Sequence, residues 1–145
     1  MPIVVDQVRL LLAEHPTLRD HLHGAWWPRS GDITGELAPL LRVVAARARV
    51  VFGVALNRDE WPGAPLALHP TITGRVKVAW YGLSEPHLMV LRLDRQRKLA
   101  LLVVPPETLE NVALAAMLMA SQPGNDRTTT DVLARAAART ATIAS

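Results

Sequence analysis

Three stretches between residues 50 and 93 are written in period two. Val50, Phe52, Val54 and Leu56 fall on alternate positions. So do Val76, Val78 and Trp80, with Arg75 and Lys77 between them, and then Met89, Leu91 and Leu93, with Arg92 and Asp94 between them. That spacing predicts strands with one buried face. Asp94 to Lys98 reads as a charged hairpin loop. Residues 99–104 are apolar on both faces, which predicts a central strand. Leu66 and Leu68 suggest a further short strand, with Pro70 at its end.

The flanks differ in rhythm. Val8, Leu10 and Leu12 alternate with Arg9, which predicts a first strand over 7–13. Residues 14–31 are turn-rich. Ile33, Leu37, Leu40, Leu41 and Val44 then follow at helical spacing, so 33–48 is a helix with Asp32 as its N-cap and Pro39 as an expected kink. After Pro105-Pro106, Thr108 is the expected cap of a helix over 109–121. Its nine apolar residues 112–120 need cover on more than one side. A last helix over 131–141 offers Val132, Leu133, Ala136 and Ala137 as its stripe, with Asp131 and Arg135 paired four residues apart.

Consecutive strands joined by short loops predict an α+β fold. The expected architecture is an antiparallel sheet of about five to six strands, one helix after the first strand, and two C-terminal helices packed on one face. A length of 145 residues fits a single domain over 1–145, frayed at 1–6 and 142–145.

Composition narrows the chemistry. The chain has no cysteine, which excludes disulfide frameworks, thiol nucleophiles and Cys-ligated metals. A net charge of +3 is an ordinary solubility value. No run of 18 apolar residues suggests a membrane span. Met1 to Leu12 carries Asp6 and Arg9 and does not read as a signal peptide, so the expected compartment is the cytoplasm. No Gly-x-Ser-x-Gly elbow, phosphate loop or dinucleotide fingerprint occurs. His21-x-His23 lacks a recognisable third ligand, so neither metal nor cofactor is expected.

Tryptophan stands out against this background. Four of the six aromatic residues are Trp, and Trp26 and Trp27 are adjacent. Pro28 holds Trp27 extended, so the two indoles point to opposite sides. One enters the core while the other faces a cleft or a partner. Arg29, Ser30 and Asp32 follow beside a helix N-terminus, which favours anions. The candidate ligand-binding residues are therefore Trp26, Trp27, Arg29, Ser30, Asp32, Asn57 and Trp61. The competing reading makes the Trp-Trp-Pro loop a plug for one end of the sheet, with Arg29–Asp32 as an internal ion pair.

The run Gly24-Ala25-Trp26-Trp27-Pro28-Arg29-Ser30-Gly31-Asp32, followed by Glu36-Leu37, resembles the signature of an actinobacterial family, domain of unknown function 5994. Leu56-Asn57 through Trp61, then Pro62 and Pro65, is similar to a second stretch of that family. Leu101-Leu102-Val103-Val104-Pro105-Pro106 is similar to a third. The resemblance covers roughly residues 8–120. His23 stands where the family pattern has an acidic residue. The resemblance implies a fold neighbourhood and no activity.

The leading expectation is a non-catalytic ligand-binding or protein-interaction module using the Trp-Trp-Pro-Arg loop. A first alternative is an enzyme acting on a small anionic substrate, with Arg29 binding the anion and Asp32, Asp59 or His23 as acid–base groups. The adjacent carboxylates Asp59 and Glu60 are a further acid–base pair. A second alternative is a nucleic-acid-binding regulator using Arg75, Lys77, Arg92, Arg95, Arg97 and Lys98. Among partners, a second copy docked on helix 109–121 is the best motivated, and nucleic acid is disfavoured by the charge pattern.

Overall fold

The computed structural model describes residues 3–5, 8–15, 17, 19–47, 51–62, 76–81, 85–94 and 96–144. The strand expected around Leu66 and Leu68 lies outside them, as do Val50, Arg75 and Arg95. The strands are β1 (Ile3–Val5), β2 (Val8–Leu12), β3 (Gly24–Trp26), β4 (Gly53–Asn57), β5 (Lys77–Tyr81), β6 (Leu88–Arg92) and β7 (Lys98–Val103). The helices are α1 (Ile33–Arg47), α2 (Glu110–Ala120) and α3 (Thr129–Ala144).

The fold is α+β, with one mixed sheet in the order β1-β2-β3-β7-β6-β4-β5. Four of its pairings are antiparallel. The β3–β7 and β4–β5 pairings are parallel, a departure from the uniformly antiparallel expectation. The doubly apolar segment is β7, in the middle of the sheet, as its composition requires. Ile3–Val5, expected to fray, pairs with β2.

Alternation sorts the strand side chains into two cores. Leu10, Trp26, Met89, Leu91, Leu101 and Val103 pack with Ile33, Leu37, Leu40, Leu41 and Val44 of α1. Leu11, Ala25, Leu102 and Val104 pack with Ala113, Ala116 and Met117 of α2 and with Val132 and Ala136 of α3. The two C-terminal helices thus share one face of the sheet, and α1 covers the other.

Several local expectations change. Gly24–Trp26, inside the stretch read as turns, forms β3 between β2 and β7. Three residues are too few to display a period. Gly24 is required there: at φ +151° a Cβ would lie 2.3 Å from the Leu11 carbonyl oxygen. α1 is assigned as helix straight through Pro39. Five buried apolar side chains, each worth about 1.5–3 kcal/mol, outweigh the ~3 kcal/mol of an interior proline. The N-cap of α2 is Leu109, not Thr108, and no side chain caps it. Phe52 is exposed, whereas Val51 beside it is buried. Ala137 lies on the solvent side of α3.

α3 covers only part of α2. Leu109, Leu114 and Leu118 remain 71%, 47% and 52% exposed. Among the described residues, no helix is long and apolar enough to cross a membrane.

Candidate functional site

The Trp26–Pro28 segment is extended, and its two indoles enter opposite cores. Trp26 is 2% exposed and lies in the α1-side core. Trp61 stacks on it with ring centroids 5.8 Å apart and planes 24° from parallel. Both are core residues. Trp27 is 7% exposed on the α2 side.

Arg9 fixes Trp27 from the neighbouring strand. Its guanidinium lies 3.5 Å from the centre of the indole ring. Its Nε donates to the Trp27 carbonyl at 2.9 Å, and its Nη2 donates to the Pro28 carbonyl at 2.7 Å. Burial and then the Arg29 guanidinium lower the Arg9 pKa from its ordinary value, while Glu36 and Glu110 oppose the shift. In the sequence Arg9 is only the polar residue between Val8 and Leu10 of the first strand. Its one sequence signal is a lone guanidinium set among leucines.

The polar residues after Pro28 tie the loop to α1. Glu36 accepts from the Arg29 backbone N–H at 2.8 Å and from the Ser30 hydroxyl at 3.3 Å. Asp32 caps the helix as expected, its Oδ1 accepting from Thr34 N–H at 3.1 Å. Ser30 and Asp32 are therefore engaged in local structure, and the helix N-terminus is capped by its own side chains.

Two cavities flank this loop. The first, about 490 Å³, lies between β2, Trp27 and α2. Arg9, Trp27, Arg29, Glu110, Leu114 and Leu118 line it. The second, about 610 Å³, is formed where three distant segments meet. Arg29 and Gly31 come from the first family-like stretch, Asp59, Glu60 and Trp61 from the second, and Val103, Pro105 and Pro106 from the third. His87 completes it. Arg29 borders both cavities.

Asn57 is buried and does not line the second cavity. Its Oδ1 accepts from Asp59 N–H at 3.1 Å and starts a 3-10 turn over Arg58–Glu60. The turn presents Asp59 and Glu60 to the cleft. One Glu60 carboxylate oxygen accepts the His87 backbone N–H and lies 3.5 Å from His87 Nδ1. Burial raises the Glu60 pKa from its ordinary value; the hydrogen bond from His87 and its imidazole oppose this, and Asp59 reinforces it. The sequence offers Glu60 only as an acid–base partner of Asp59 and gives His87 no role, because nothing local joins positions 27 apart.

The expected enzyme cluster forms only in part. Arg29 and Asp59 share the second cavity, while Asp32 stands outside it at the helix cap. His23 is buried in the sheet: its Nε2 bonds the Thr17 carbonyl at 2.6 Å, and its Nδ1 accepts from Ala100 N–H at 3.0 Å. His21 instead pairs with Glu85 at 2.7 Å. Among the described residues no three His, Asp or Glu side chains are placed to hold a metal. Lys77, Arg92 and Lys98 lie together with Phe52 at another surface of the sheet.

The pattern of a family of unknown function, DUF5994, matches residues 9–120. No curated protein and no solved structure matches the chain. The match spans most of the sequence, and the chain belongs to that family.

Proposed function

We propose that this member of the DUF5994 family is a non-catalytic ligand-binding module, with the Trp-Trp-Pro-Arg loop as one wall of its site. The site is the cavity between Trp27 and α2, and the ligand is a small amphipathic anion. One observation carries the reading. An apolar cavity of about 490 Å³, lined by Trp27, Leu114 and Leu118, also has the guanidiniums of Arg9 and Arg29 on its wall against one carboxylate, Glu110. Small-molecule sites share this design, a mostly apolar hollow with few polar groups.

Calorimetric titration with octanoate and with octylamine tests it. Octanoate should bind, and octylamine should bind at least about tenfold more weakly, as expected from a charged hydrogen bond. Leu114→Asp should abolish octanoate binding without unfolding the protein, since Leu114 is 47% exposed. Absence of octanoate binding, or equal affinity for the amine, rejects the reading.

A second reading rests on the exposed leucines. Leu114 and Leu118 lie one turn apart on α2, with Leu109 just before the helix. A second copy of the chain covering this stripe would bury them. Sedimentation equilibrium with Leu118→Asp decides it. A dimer that the substitution dissociates supports the reading, and a monomer at all concentrations rejects it.

A further inference from the structure

The cleft bordered by Glu60 and His87 is separate from the Trp27 cavity and has a different chemistry. Two of its lining side chains carry buried polar atoms with no partner among the described residues. One is the second oxygen of Glu60, Oε1, an acceptor. The other is the indole N–H of Trp61, a donor. Each costs about 1–3 kcal/mol when left unmade. The cleft also carries both signs of charge, Arg29 opposed by Asp59, Glu60 and Glu107. Its volume, about 610 Å³, falls in the range of small-molecule sites.

The geometry at His87 is over-determined. His87 takes the left-handed backbone conformation, φ 56°, which non-glycine residues seldom adopt. Glu60 holds its N–H, and its carbonyl accepts from Val103 N–H at 2.8 Å. Folding needs only one acceptor oxygen from residue 60 for this clamp, and a glutamine would supply it. The carboxylate charge and the second oxygen are surplus to that task.

We infer that this cleft binds a small zwitterion of the α-amino-acid type, its ammonium taken by Glu60 with Asp59, its carboxylate by Arg29, and its carbon body set against Pro105 and Pro106. Trp61 N–H supplies a further donor to the carboxylate. A simple anion leaves Glu60 Oε1 unsatisfied, and a simple cation leaves the Trp61 N–H unsatisfied. Only a ligand with both ends answers both.

Proton–nitrogen NMR titration of the full chain tests this with three probes: L-norvaline, pentanoate, which lacks the ammonium, and n-butylammonium, which lacks the carboxylate. Norvaline should move the Trp61 indole N–H and His87 amide signals and bind at least about tenfold tighter than either half-molecule. Glu60→Gln should weaken norvaline and butylammonium and leave pentanoate unchanged. Arg29→Gln should weaken norvaline and pentanoate and leave butylammonium unchanged. Arg29 is held to Glu36 through its backbone, so this variant keeps the test open if Glu60→Gln fails to fold. Norvaline that moves neither signal, binds no better than its halves, or is indifferent to these substitutions overturns the inference.

Discussion

Replacing Trp61 by alanine probes the joint between the α1-side core and the cleft. Trp61 is 2% exposed and stacked on Trp26, so the substitution removes a fully buried aromatic. Truncating such a residue costs about 3–5 kcal/mol, part lost transfer energy and part the cavity left behind. The stack accounts for about 0.5–1.5 kcal/mol of this, beyond area alone. A chain of this size has about 5–15 kcal/mol in total, so the variant folds with a large part of its reserve gone. Its midpoint should fall by very roughly 10 °C, at about 3 °C per kcal/mol. Urea unfolding followed by circular dichroism gives the loss without relying on the deleted fluorophore. A double-mutant cycle with Trp26→Leu and Trp61→Leu isolates the stacking part. A loss below about 1 kcal/mol for Trp61→Ala at unchanged urea slope contradicts the core assignment of Trp61. A coupling near zero contradicts the stack alone.

Three further outcomes follow from the same geometry. Arg9→Met keeps an apolar stem but removes the guanidinium from Trp27 and from two carbonyls; urea unfolding should show a loss of about 2 kcal/mol. Asp32→Ala removes the cap on α1 and should cost about 1 kcal/mol, with Asp32→Asn close to wild type in the same assay. Glu60 has its folded-state pKa raised by burial, so its ionisation opposes folding. Its stabilising contribution is complete below the ordinary carboxyl value of 4.5 and is lost as pH rises through the folded value. The midpoint difference, Glu60→Gln minus wild type, should therefore be flat below that value and grow towards neutral pH; a difference that shrinks towards neutral pH refutes the sign.

What the sequence disclosed was periodic, and what it concealed was short or distant. β6 and β7 announced themselves because Met89, Leu91 and Leu93 alternate and because residues 99–104 are apolar throughout. α1 did so through its leucines and Asp32. β3 escaped because three residues have no period, and because its paired residues in β7 are 77 positions away. The parallel β3–β7 register is set by that long-range pairing and by Gly24 against Leu11, neither of which is a local signal. The opposed indoles of Trp26 and Trp27 were legible, since proline and extended backbone decide them locally. Which of the candidate residues share a cavity was not. Arg29 and Trp61 do, Trp27 and Arg29 do, and Ser30, Asp32 and Asn57 shape those walls through hydrogen bonds. The Glu60–His87 contact and the hold of Arg9 on Trp27 were hidden for one reason: each joins residues at least 18 positions apart.

The Trp-Trp-Pro-Arg segment is best understood as a partition. Its extended backbone forces Trp26 toward α1 and Trp27 toward α2, so the same four residues fix both cores. Arg9 clamps the segment on the Trp27 side, and Glu36 clamps it on the Arg29 side. Between these anchors Arg29 reaches the edge of two cavities of different chemistry, one largely apolar with a second guanidinium, the other rich in carboxylates. A guanidinium in that position serves either cavity, because it spreads its charge over a planar fork. Lysine would place a compact, strongly hydrated charge there instead. The two binding proposals therefore meet at a single side chain, yet they divide at Arg9 and Glu60. Loss of Arg9 should affect the Trp27 cavity, while the Glu36 anchor keeps Arg29 in place for the cleft. Loss of the Glu60 charge should affect the cleft and spare the cavity beside α2.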